Sequence, residues 1–157
     1  MVKIKKYNRH DRKKGEYFEF KFDEKNTDII IPIPPEPAPP VPILQVNFRK
    51  INAGDRVWLN GIITANNNNI NTFSEVTLTI TRTTPQTGTQ VIYSQFFEVD
   101  DEDAGKGNDD VTTVPFSHVD VPTTKLNNVR YQVQVTVNNP NFFVQNPLTL
   151  TASRINE

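Results

Sequence analysis

Residues 128–137 run Asn-Val-Arg-Tyr-Gln-Val-Gln-Val-Thr-Val, and this stretch decides the fold. Val129, Tyr131, Val133, Val135 and Val137 fall on one face of an extended chain, with Arg130, Gln132, Gln134 and Thr136 on the other. A period of two marks a half-buried strand. Residues 76–81 repeat the pattern: Val76, Leu78 and Ile80 alternate with Thr77, Thr79 and Thr81, types that suit a pleated surface. Working outward, short alternating segments bounded by Asn, Gly, Asp and Pro clusters predict strands at 43–51, 56–65, 73–82, 90–99, 111–121, 128–137 and 148–155, with a further short one at 142–145. No stretch carries a helical period. The reading is an all-β chain, an antiparallel β-sandwich or jelly roll with an extended N-terminal proline-rich arm, and residues 43–157 suffice for one sandwich core.

Ahead of that body, residues 1–42 differ in composition and are expected to form a separate arm. Residues 1–14 carry Lys3, Lys5, Lys6, Arg9, Arg12, Lys13 and Lys14 against Asp11 alone, too high a charge density for burial. From Tyr17 the chain alternates: Phe18, Phe20 and Phe22 share one strand face, and Glu19, Lys21 and Asp23 the other. Ile29, Ile30, Ile31 and Ile33 prolong the apolar content. Residues 17–33 therefore read as a strand seeking a partner surface. Pro34, Pro35, Pro37, Pro39, Pro40 and Pro42 then read as a stiff spacer, because proline fixes φ and favours polyproline II at ~3.1 Å per residue.

Chemistry-bearing groups are sparse. With no cysteine, the chain has no disulfide, thiolate metal site or cysteine nucleophile. Its two histidines are His10 in the arm and His118. Ser117, His118 and Asp120 lie close in sequence, but neighbours in a strand point to opposite faces, so Ser117 and His118 cannot assemble a nucleophile and its base. No catalytic residue, cofactor or metal site is assigned. Asp100, Asp101, Glu102, Asp103, Asp109 and Asp110 form an acidic loop, but glycine and glutamate are missing at the sixth and twelfth positions of an EF-hand counted from Asp101. The loop reads as a solvated turn, with calcium binding as the lesser alternative, and could steer the basic arm of another copy. Near-neutral overall charge, 17 cations against 18 anions, argues against a nucleic-acid binder. Apolar runs are too short to span a membrane, and the N-terminus lacks the apolar stretch of a secretory signal.

Taken together, GDRVWLNGIITA, VTLTITR, VRYQVQVTV and LTLTASRI resemble the small jelly-roll proteins on the spores of bacilli, whose folds are similar to tumour-necrosis-factor or complement globular heads. The proline-rich IPIPPEPAPPVP is similar to the leaders by which collagen-like spore-surface proteins dock, although this chain has no Gly-X-Y repeat. A head with such a leader and no stalk resembles the repeating subunit of thin, F-type endospore appendage fibres. The resemblance implies a non-enzymatic structural subunit on the spore surface, in exosporium or appendage. Homotrimeric heads would polymerise head-to-tail through the N-terminal connector, with anchor and tip proteins of the spore surface as further partners. The alternative expectation is a phage-fibre or carbohydrate-binding head attached to a larger particle by its arm, its Asn-rich turns meeting the sugar.

Overall fold

In the computed structural model, residues 18–31, 39–101, 111–139 and 141–156 are described. They form nine strands: β1 (Phe18–Lys25), β2 (Ile29–Ile30), β3 (Val41–Ile51), β4 (Arg56–Asn67), β5 (Ser74–Thr84), β6 (Gly88–Val99), β7 (Val111–Asp120), β8 (Leu126–Val137) and β9 (Phe142–Ile155). One sheet runs β1-β9-β4-β7, with β2 also on β9, and the other runs β3-β8-β5-β6.

The pairings nest. β5 pairs β6, β4 pairs β7, β3 pairs β8 and β1 pairs β9, all antiparallel. The chain is thus one long hairpin ribbon whose closed end is the turn between β5 and β6, rolled so that alternate pairs contribute to opposite sheets. Further ladders, β4 to β9 and β5 to β8, stitch the roll shut. This is the jelly roll, in which two stacked sheets bury the inner face of every ribbon segment.

Alternation supplies the core. From β8, Val129, Tyr131, Val133 and Val135 point inward, met by Phe48, Leu78 and Ile80 of the same sheet and by Leu59, Ile63 and Leu150 of the other. Each such side chain contributes roughly 1.5–3 kcal/mol when removed from water. Phe48 meets Tyr131 edge-on, with ring centroids 6.1 Å apart. Opposite Phe116, position 61 must be glycine: a Cβ there would strike the Phe116 ring and the Thr149 carbonyl.

Several boundaries differ from the sequence reading. Residues 142–145 and 148–155 form one strand, β9, because the ladder with β4 skips from Ile62–Thr149 to Thr64–Gln145 and absorbs Pro147 in an irregularity. β3 starts at Val41, so Pro42 lies in a strand and not in the spacer. It sits beside a register shift on an edge strand, where the missing amide is tolerated. Most consequentially, β1 and β2, expected to belong to an arm ending at residue 42, are rails of the head's own sheet.

Candidate functional site

β1 inverts the usual polarity of a sandwich strand. Its residues alternate as expected, but Glu19, Lys21 and Asp23 face the body while Phe18, Phe20 and Phe22 face away, 64%, 50% and 66% exposed. A slip of one residue would turn the rings inward. The register is fixed against that slip because the inner charges have partners. Glu19 Oε2 pairs with Arg154 at 3.3 Å, and the Asp23 Oδ2 atom accepts the Gln45 amide at 2.8 Å. Gln45 follows the register shift of β3, so Asp23 satisfies a donor on the rim of the other sheet. Arg154 also lies 4.0 Å from Asp55 and donates to the Lys50 carbonyl. Charged inner residues of this kind also keep an edge strand from pairing indiscriminately.

Eight rungs hold β1 to β9, from Phe18 opposite Ile155 to Lys25 opposite Leu148. Ile29 and Ile30 pair with Val144 and Phe143, and the Ile31 amide donates to the Phe142 carbonyl at 3.1 Å. Of the expected docking residues that the structure describes, Ile31 alone is buried, while Ile30 is 78% exposed. Pro39 and Pro40 are exposed ahead of β3. Tyr17, Ile33, Pro34, Pro35 and Pro37 lie outside the described residues, as do Glu102, Asp103, Asp109 and Asp110 of the acidic loop, whereas Asp100 is described and exposed and Asp101 is exposed beside it.

The outer face of this sheet contains apolar residues that the sequence reading did not single out. The rung of Phe20 continues through Ser153 of β9 to Trp58 of β4 and Val119 of β7. Trp58 and Val119 are 49% and 44% exposed, and Ile155 beside Phe18 is 39% exposed. Their signal was parity: Val57 and Leu59 occupy inward positions, which leaves Trp58 facing out. Polar groups on this face bond one another. Trp58 Nε1 donates to Ser117 Oγ at 3.3 Å, Ser117 Oγ donates to Asn60 Oδ1 at 2.8 Å, and Thr151 Oγ1 donates to the Asn60 carbonyl at 3.2 Å.

Ser117, His118 and Asp120 are not brought together. Ser117 faces outward, His118 packs beside Tyr93 at 5.6 Å, and Asp120 turns into the sandwich. There Asp120 accepts from Arg82 Nη1 at 2.8 Å through both oxygens and from the Tyr131 hydroxyl at 2.7 Å. Burial, reinforced by the Asp120 charge and hydrogen bond, pushes the Tyr131 hydroxyl far above its ordinary value. The trio ties the two sheets together. Asn-rich turns are similarly occupied by structure: Asn67 Nδ2 donates to the Thr72 and Asp100 carbonyls, and Asn138 Oδ1 accepts the Glu75 amide. Among the described residues, no three acids or histidines cluster as metal ligands would.

Fold and rim define a jelly-roll domain with an aromatic outer sheet face. No protein-family model matches the chain, and none of the curated proteins does. It is similar to a solved structure of the infectious bursal disease virus Gt strain, with a TM-score of 0.49 and 9% identity over 88% of this chain and 33% of that one. It is also similar to infectious bursal disease virus VP2 in a subviral particle, with a TM-score of 0.48 and 9% identity over 90% of this chain and 33% of that one. The chain spans about one third of the length of these structures.

Proposed function

We propose that the chain is a non-enzymatic structural subunit of a spore-surface fibre, whose trimeric heads join head-to-tail by trading the segment 18–31 between copies. The observation that carries this reading is how little of the core that segment supplies. Among the described residues, Ile31 is the one fully buried member of the apolar cluster that precedes Ile43, with Ile29 half-buried against it. β1 and β2 adhere by ladder bonds and by the Glu19 and Asp23 contacts instead. Passing the segment to the β9 edge of a sister conserves each of those contacts. Closed and exchanged forms then differ mainly in chain entropy and protein concentration. A donor segment and an acceptor edge on one subunit are two different surfaces, and repetition of such a contact gives an open filament when the rotation does not close. Between that segment and β3 the sequence carries Pro32, Pro34, Pro35, Pro37, Pro39 and Pro40, the residue type of stiff spacers.

Because the chain lacks cysteine, one engineered pair reports the pairing directly. Glu24 and Thr149 stand opposite one another on β1 and β9. A Glu24→Cys, Thr149→Cys chain, oxidised after fibres have formed, is expected to give a covalent ladder on denaturing gels. A lone monomer band, with isolated particles in negative stain at high concentration, overturns the reading. The carbohydrate-binding alternative draws less support, since Asn67 and Asn138 are engaged in holding their own turns.

A further inference from the structure

We propose that the outer face of the β1-β9-β4-β7 sheet is a homotypic docking surface, occupied by the same face of a second copy of this chain. The inference rests on the reading of the chain as a self-assembling subunit and adds a lateral contact distinct from strand exchange. Phe18, Phe20 and Phe22 form a ridge on β1, with Phe20 and Phe22 stacked at 6.3 Å, and across β9 Trp58 stands on the rung of Phe20, with Val119 next to it on β7. Between them, β9 presents Ser153 and Thr151. Strands spaced about 4.8 Å apart make this a groove roughly 10 Å across, floored by small side chains.

Ridge and groove lie side by side on one surface, so a two-fold axis over the face seats each copy's phenylalanine ridge in the other's groove. Such self-complementarity is what an isologous contact requires. The area is adequate. At about 200 Å² per ring, the exposed fractions of the four aromatics alone amount to roughly 450 Å². One partner contributes about 800 Å² to a standard interface, so the rings supply more than half. Among the described residues, formal charge on this face is confined to the margins, at Arg56 and Glu24, with no row of like charges. Desolvation is also cheap, because Trp58 Nε1 and the Ser117 and Thr151 hydroxyls already have partners within the face. Other exposed apolar residues, such as Val91 and Phe96, stand opposite threonines on β5 and form no comparable row.

Trp58 is the sole tryptophan, so its emission reports this face alone. In the full chain, sedimentation at micromolar concentration is expected to give at least twice the monomer mass, with Trp58 emission shifted to the blue and shielded from acrylamide. Dilution should reverse all three. Phe20→Ser with Phe22→Ser is expected to weaken association about 30-fold per ring removed and to re-expose Trp58, with circular dichroism unchanged. A Val119→Ser chain, which leaves β1 untouched, should show the same trend. Trp58 remaining quencher-accessible at 100 μM, shielding by added cellohexaose without a change in mass, or unaltered association in both variants would each overturn the proposal. Fibres with an accessible Trp58 would refute the lateral contact and leave strand exchange standing. Compact oligomers with a shielded Trp58 and no covalent ladder from the cysteine pair would do the reverse.

Discussion

Tyr131 shows how one inward hydroxyl is accommodated in an apolar sandwich. Its ring fills the core against Phe48, and its oxygen reaches the carboxylate that also holds Arg82. Removing the acid leaves a guanidinium that is 14% exposed with Gln90 as its one remaining partner among the described residues, so Asp120→Ala is expected to cost about 3–5 kcal/mol in urea unfolding. Tyr131→Phe loses one hydrogen bond to a charged acceptor, about 1–2 kcal/mol. The two substitutions also separate in their pH dependence. Folded Tyr131 holds its proton well above the pH of about 10 at which an unfolded tyrosine releases it. The native state therefore binds the extra proton, and stability present below pH ~10 declines as the pH rises through the raised value. Unfolding measured from pH 8 to 11 should fall less steeply for Tyr131→Phe than for the wild type. The sequence identified Tyr131 and Asp120 separately, but their partnership crosses from one sheet to the other, and nothing in local spacing encodes it.

Elements were more legible than their partners. Alternation placed seven of the strands, and the inward faces of β5 and β8, since burial on one side forces a period of two. Pro42 was read as spacer, and 142–145 and 148–155 as separate strands, because an irregular rung removes the demand for an amide that local reading assumes is present. For β1 the parity was legible but its sense was not: Phe18, Phe20 and Phe22 were expected to be the docking face, whereas Arg154 and the Gln45 amide, remote in sequence, make the charged side the inner one. Asp23→Ala should therefore raise amide exchange at Gln45 and cost about 1 kcal/mol, while leaving the β5–β8 amides protected. Gly61→Ala, which drives a methyl into Phe116 and the Thr149 carbonyl, should cost about 1–3 kcal/mol by calorimetry. Deleting residues 18–31 spares nearly all of the core but bares the β9 edge, so the truncated head should retain its β spectrum while aggregating with time.

For the whole molecule, the nested ribbon makes the pair formed by β1 and β9 the one that closes the roll. Its rungs join residues more than a hundred positions apart, so chain-closure entropy falls on that pair more heavily than on β5 with β6. Hydrogen exchange on dilute protein should accordingly show β1 opening well before β8. The outer face was invisible to a strand-by-strand reading because it is assembled from three separated stretches, around Phe20, Trp58 and Val119, whose adjacency exists only once the roll is formed. One feature of that rim bears on any engineered or natural extension. Phe18 lies across from Ile155, so polypeptide continuing backward from the first strand and polypeptide continuing onward from the last leave the body as neighbours. A bulky cargo grafted directly at Phe18 or Ile155 would crowd whatever emerges beside the other, whereas cargo placed in the 68–73 turn, which follows β4 at the opposite end from Arg56 and its partner Ile155, would leave both exits clear.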